Sequence, residues 1–393
     1  MDHNRSGADS ARGRAVLLLA HFAGMIDLVA LPVWMGALVQ HYGYDLEHAG
    51  MIVTAFLLGA VAASLVAAPR FNRLPRRLCA MAGYGVAALA FAAAAQAGSL
   101  AVLLLLHALA GLALGTGLSM VHGSIGRSAN PHRLFAMAGA ALGVGAVIFY
   151  ATVPPAIAAG GGQRLFMAFA GLMAVTAAAC VFFPTARSEP GHTAQRAPLP
   201  RAAWFAVLGV ACMALNQSIT FSMLDRIGVM RGFGQEHVNQ VLVVCGFVNL
   251  LPAVLAGLLQ RRLKPTRVAM VAPLLQAALA TLIATSPTFA PYALAASVYA
   301  AVMIFTHTFL FGLIARLDPS GRAVAATPAM MMTGSAIGPA LAGSVAMRAG
   351  FGGLAVLAVL VGVAATGAFA YVSRHQRGQS STAAAVGVAG AAD

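Results

Sequence analysis

The chain is 393 residues long, 60% hydrophobic and only 9% charged, with a formal net charge of +14. Soluble domains are about 45–50% apolar and about 25% charged, so this composition excludes an ordinary soluble protein and implies one that lives in a bilayer. The positive charge would suit a nucleic-acid partner only if it gathered in one basic patch; instead it is dealt out to alternate loops.

In chain order, residues 1–14 form a short polar stretch with Arg5, Arg12 and Arg14. Apolar runs then follow at 15–40, 49–69, 78–97, 101–124, 134–158, 164–184, 204–224, 238–259, 268–286, 291–314, 324–347 and 351–372. At about 20 residues, each can cross a hydrocarbon core of ~30 Å as a helix. The first run has the length of a full span and no small-residue cleavage site, so it is expected to stay rather than be removed as a signal peptide. The paired prolines Pro154 and Pro155 in span five, and Pro328 and Pro339 in span eleven, are expected to kink those helices. Cys79, Cys180, Cys212 and Cys245 fall within or at the ends of spans without CxxC spacing. They read as packing residues, with no disulfide or metal framework.

With the N-terminus in the cytoplasm, 20 of the 24 Lys and Arg lie on that side; Arg164, Arg226, Arg231 and Arg348 lie on the other. This asymmetry is the positive-inside pattern. It predicts a multi-pass protein of the cytoplasmic (inner) membrane with both termini cytoplasmic, and it leaves no surplus patch for nucleic acid.

The chain also repeats itself. An offset of 189 residues carries Asp27 onto Asn216, the stretch 70-RFNRLPRR-77 onto 261-RRLKPTR-267, and 127-RSANPHR-133 onto 316-RLDPSGR-322. Such an offset predicts two six-helix bundles in parallel orientation, 15–184 and 204–372. A polar, proline-containing cytoplasmic linker, 185–203, joins them, and 373–393 reads as a disordered cytoplasmic tail.

Between spans two and three, 68-APRFNRLPRR-77 resembles the G-x-x-x-D-R-x-G-R-[RK] loop of the major facilitator superfamily. Arg73, Arg76 and Arg77 match, while Ala68, Asn72 and Pro75 replace the two glycines and the aspartate. The second-half copy, 257-GLLQRRLKPTR-267, keeps Gly257 and Arg262 and also lacks the acid. In span four, 107-HALAGLALG-115 has His107 where the family's R-x-x-x-G-x-G-x-G carries arginine. In span five, Val144 stands where antiporters of the family carry proline, although 334-GSAIGPALAG-343 in span eleven is similar to that signature. The resemblance covers nearly the whole chain. It implies an all-α integral membrane protein with twelve transmembrane helices in two parallel six-helix repeats, and a cytoplasmic gating loop containing Asn72, Arg73, Arg76, Arg77 and Arg262.

In that architecture spans one, four, seven and ten line a central cavity, and the polar residues of this sequence gather there. Span one carries His21, Asp27 and Trp34; span four, His107, Thr116, Ser119 and His122; span seven, Asn216, Gln217, Ser218 and Thr220; span ten, Thr306, His307 and Thr308. Ionisable groups inside a bilayer are functional candidates by default. Asp27 is the only acid well inside an expected span, ~18 Å from its start at 1.5 Å per residue, and a buried carboxylic acid can take up and release a proton. Asp27, His107 and His307 are therefore the candidates for proton coupling. His21, Trp34, Thr116, Asn216, Gln217, Thr220 and Thr306 are the candidates for the substrate cavity. No HxxxH or HExxH spacing points to a metal.

No phosphate-binding loop is present and the only lysine is Lys264, so ATP is not the expected driver and no cofactor is expected. The expected function is secondary active transport of a small organic solute by alternating access, driven by protons, in a monomer whose partners are that solute, protons and the lipid bilayer. Two rivals are a drug/proton antiporter exporting hydrophobic or cationic compounds, and a non-transporting membrane receptor on the same fold. No enzyme constellation recurs at workable spacing.

Overall fold

A computed structural model describes residues 7–184, 200–260, 262–317 and 327–389. Most of the expected linker, residues 185–199, lies outside these. Apolar runs that must satisfy their backbone groups without water become helices, and among the described residues there is no strand. In chain order the helices are α1 Ala11–Gly24, α2 Asp27–Gln40, α3 Leu46–Ala67, α4 Arg76–Ala94, α5 Leu100–Gly126, α6 Pro131–Gly160 and α7 Gln163–Ala179. They continue as α8 Arg201–Met230, α9 Gln235–Val248, α10 Leu251–Leu259, α11 Pro265–Thr285, α12 Phe289–Leu317, α13 Thr327–Ala336 and α14 Gly338–Ala389.

Ten stretches among the described residues are long and apolar enough to cross a membrane. The last of them, Met330–Gln376, reverses at Gly350, which takes φ +64°, a conformation open to glycine. Before this turn Gly334 and Gly338 pack on Ala211 and Ser218 of α8; after it Ala358 and Phe369 run back along the same helix, at Asn216 and Gly209. Together α9 and α10 make one further crossing. The fold is thus the twelve-span, two-repeat bundle that the sequence implies.

Three spans are broken where the sequence supplies a reason. Span one stops at Gly24, a poor helix former, and restarts at Asp27, whose acid suits a first turn. Span eight breaks at Asn249–Leu250, because the ring of Pro252 displaces the carbonyl of Val248 four residues back. Span eleven breaks at Ile337. There Pro339 leaves the Ser335 carbonyl without its helical donor, and the Ser218 hydroxyl of α8 supplies one at 2.8 Å. The other prolines do less than expected: α6 runs unbroken through Pro154 and Pro155, and Pro328 sits in the first turn of α13, where its missing N–H removes no helical bond. Beyond 372, in the stretch read from sequence as a tail, α14 runs on to Ala389.

Within the first half, α3 and α5 approach closely enough that a β-carbon on Gly111 would collide with the Phe56 carbonyl; small residues permit that approach. Tyrosine hydroxyls tie the bundles by donating to backbone carbonyls, Tyr84 to Ala20 and Tyr150 to Val29 in one half, Tyr292 to Leu224 and Tyr299 to Asn216 in the other. The bundle has a basic end, with the 71–75 loop and the starts of α1 and α8, and a far end, with the 41–45, 231–234 and 286–288 connections.

Candidate functional site

Asp27 is the first residue of α2 and is 7% exposed. The break in span one thus sets an acid against the N-terminal end of a buried half-helix, where backbone N–H groups favour negative charge. One turn before the break, His21 Nδ1 lies 3.1 Å from His122 Nε2 on α5. The sequence places these histidines on separate spans, one and four; the structure joins them across two helices. A hydrogen bond between two imidazoles needs one N–H and one lone pair, so no more than one of the two rings can be cationic in this geometry.

Other expected site residues lie elsewhere. Trp34 and His107, expected to line a cavity and to couple protons, are both fully buried in the aromatic core of the first bundle. Trp34 packs edge-on against Phe56, Phe91 and Phe169, and His107 sits 5.4 Å from the Trp34 ring and 5.2 Å from Phe166. His107 Nδ1 is 2.8 Å from the Leu103 carbonyl of its own helix. Both side chains, expected at the cavity and in proton coupling, thus lie inside the first bundle, where aromatic packing surrounds them.

In the second half, Asn216 is fully buried and donates from Nδ2 to the Ala358 carbonyl at 3.2 Å. Gln217 accepts from Gln276 of α11 at 3.1 Å. Thr220 and Thr306 are buried, and the Thr306 hydroxyl turns back to the Val302 carbonyl. Thr116 likewise donates to its own helix at Leu112, and His307 is half-buried on α12. The structure brings His21 to His122 and Gln217 to Gln276; it gathers no single cluster from the whole expected set. Among the described residues no group of three or more His, Cys, Asp or Glu side chains could hold a metal ion.

The 71–75 loop is organised by an aromatic ring. Phe71 is buried against Gly123 of α5, with the Arg76 guanidinium 4.6 Å and the Arg127 guanidinium 5.1 Å from its ring centroid. Arg77 donates to the Phe183 carbonyl at the end of span six. Where the family motif has an aspartate, this chain has Asn72, and cation–π contacts to the neighbouring Phe71 hold the arginines. On the second-half copy, Arg262 follows the end of α10, its backbone N–H donating to the Leu259 carbonyl.

The halves meet at the far end. Gln40 of α2 donates to Gln235 of α9 at 2.9 Å; Glu47 of α3 accepts from Ser344 at 2.7 Å and from Arg348 at 3.3 Å; and the Ala340 N–H donates to Thr54 at 3.1 Å. Glycines bring the backbones together there, Gly50 against Pro339 and Gly343 against Leu46. Asp45 caps α3 by accepting from the His48 N–H at 2.8 Å, and that bond holds its carboxyl below the usual carboxylate range. Asp225 belongs to this interface and was missed, because the expected seventh span ended at 224. The signal was available: Asp225 follows Ser218 by seven residues, so the two share one helix face.

The chain matches the family described as Major Facilitator Superfamily over residues 17–327. Among solved structures it is similar to a mutant of the nucleoside transporter NupG, with a TM-score of 0.68 and 14% identity over 92% of this chain and 99% of that one. It is also similar to a bacterial homolog of the human lysosomal transporter Spinster in an inward-facing, unoccupied conformation, with a TM-score of 0.65 and 15% identity over 93% and 98% of the two chains. At these identities the likeness speaks for the fold alone. No curated protein matches.

Proposed function

The chain belongs to the major facilitator superfamily, and from that premise we propose that it is a secondary active transporter that couples movement of a small, moderately polar organic solute to protons. It is a membrane transporter and not an enzyme; the solute and the coupling ion are the proposed parts. The observation that carries the coupling is the place of Asp27: a buried acid at the break of the first helix, at midspan depth. Burying a carboxylate is costly unless it is paired or protonated, so an acid there exchanges its proton when alternating access brings water to it. The His21–His122 pair lies on the same helix and the one beside it, and we assign it, in place of His107, as the accessory titratable group. The parallel position in the second half is Asn216, an amide of similar shape, so the fold accommodates an amide at this depth.

Alternating access in this bundle runs between the basic end, facing the cytoplasm, and the far end, closed here by the Gln40–Gln235, Glu47–Ser344 and Thr54–Ala340 contacts. Growth of a deletion strain on single carbon sources and against toxicants identifies the solute and the direction of transport. In vesicles, Asp27→Asn is expected to insert normally, to lose uphill accumulation driven by a proton gradient, and to retain exchange of labelled for unlabelled solute. Accumulation that persists in Asp27→Asn with unchanged pH dependence would refute the assignment.

A further inference from the structure

Asp225 is a second buried acid, and it lies between the halves rather than within one. It is 2% exposed on α8, near the far end. Its Oδ1 accepts from Gln235 Nε2 at 2.7 Å, and Gln235 in turn accepts from Gln40 Nε2 at 2.9 Å, so a chain of side-chain bonds runs from the first half through α9 to the carboxyl. Its other oxygen, Oδ2, faces the α2 backbone at Gly36 and makes no hydrogen bond. A β-carbon on Gly36 would lie 2.5 Å from Oδ2; only glycine lets the carboxyl close onto α2.

The groups around it do not neutralise an ionised carboxylate. From α2 come Gly36 and Gln40, and from α9 Gln235 and Asn239, all uncharged. From α12 comes Tyr292, whose hydroxyl is committed to the Leu224 carbonyl. The neighbouring cation is Arg226, displaced about 100° around the helix; its charge acts on the Asp225 carboxyl through space, but its Nε and Nη1 make no hydrogen bond, so it does not close an ion pair with Oδ2. An unpaired carboxylate sealed from water is strongly disfavoured, whereas a neutral acid with one hydrogen bond is tolerated.

We propose that Asp225 is a second proton-binding residue of the transport cycle, which latches the far gate shut while it holds a proton and releases the gate when it ionises into water. Closing onto Gly36 requires the neutral acid. Separation of α2 from α8 lets water reach Oδ2, and loss of the proton then opposes reclosure. Raising the pH therefore favours the gate-open state, by up to ~tenfold in the open-to-closed ratio per pH unit for a single proton. The inference rests on the transport reading, but its test uses no solute, so failure to find a transported solute leaves the latch to be judged separately.

The test is pulsed EPR on purified full-length protein in lipid nanodiscs, with nitroxides at His41→Cys and Glu236→Cys, two exposed far-end positions on opposite halves. The distance distribution is followed from about pH 5 to about pH 9, either side of the usual carboxylate and histidine values. A longer-distance population should grow with pH in the otherwise unaltered protein and in Asp27→Asn, and be absent at every pH in Asp225→Asn, whose amide keeps the shape of the neutral acid. Gly36→Ala, which wedges the carboxyl off α2, should raise the open population even at the acid end. A distribution that does not respond to pH in the parent, or one that responds equally in Asp225→Asn, would overturn the proposal. Should Asp225→Asn fail to fold, Gly36→Ala with an unshifted distribution would overturn it equally.

Discussion

At the scale of single residues, polarity in the sequence marked where function could lie but not which way each side chain turns. Trp34 and His107 share spans with other residues expected to face a cavity, and both are buried in a core of Phe56, Phe91, Phe166 and Phe169. Trp34→Ala is therefore expected to destabilise the protein by about 3–5 kcal/mol, the usual penalty for emptying a large aromatic site. Solute affinity in the surviving folded protein should be unchanged. A thermal melt in detergent paired with a binding isotherm checks both halves of that statement; a large affinity loss without a drop in melting temperature would return Trp34 to the cavity. Asp27 was legible because it stands alone in an apolar run, whereas Asp225 was hidden by a boundary placed one residue short. The His21–His122 contact was beyond the sequence altogether, since the two residues are 101 positions apart and only helix packing unites them.

At the scale of elements, the expected spans became helices, and their breaks followed glycine, proline and acid placement. The exceptions are instructive: Pro154 and Pro155 leave α6 intact, while Pro339 breaks span eleven where Ser218 can take over the freed carbonyl. The loop between spans two and three matched the family's motif in its arginines and not in its acid, and the structure shows what holds it instead. Phe71, a motif position without a fixed identity, is clamped by Arg76 and Arg127 against Gly123. Cation–π contacts of this kind contribute about 0.5–2 kcal/mol each. Phe71→Ala should accordingly slow conformational exchange and transport while leaving equilibrium solute binding within a few-fold, and Phe71→Trp should keep the clamp. Loss of binding in folded Phe71→Ala, measured by isothermal titration, would mean that the loop shapes the solute site rather than the hinge.

At the scale of the whole molecule, the long-range repeat, the alternation of basic loops and the number of apolar runs together specified two parallel six-helix halves, because each is a property summed over many residues. What they left open is how the halves meet. That depends on a few close approaches, such as Gly50 on Pro339 and Gly343 on Leu46, which no periodicity announces. The orientation of the bundle remains a prediction of its charge: a reporter active only outside the cytoplasm, fused at the 185–199 linker, should give no signal, and fused at Gly161 or Gly232 it should. Signal at the linker would overturn the assigned topology. The central claim, that solute moves because the far end opens and closes between the halves, is tested most directly by locking that end. In a Glu47→Cys/Ser344→Cys protein, built where the two side chains are 2.7 Å apart, oxidation to a disulfide should abolish solute transport in vesicles and reduction should restore it, with either single cysteine unaffected by the oxidant. Transport at the reduced rate through the fully cross-linked protein would contradict the account.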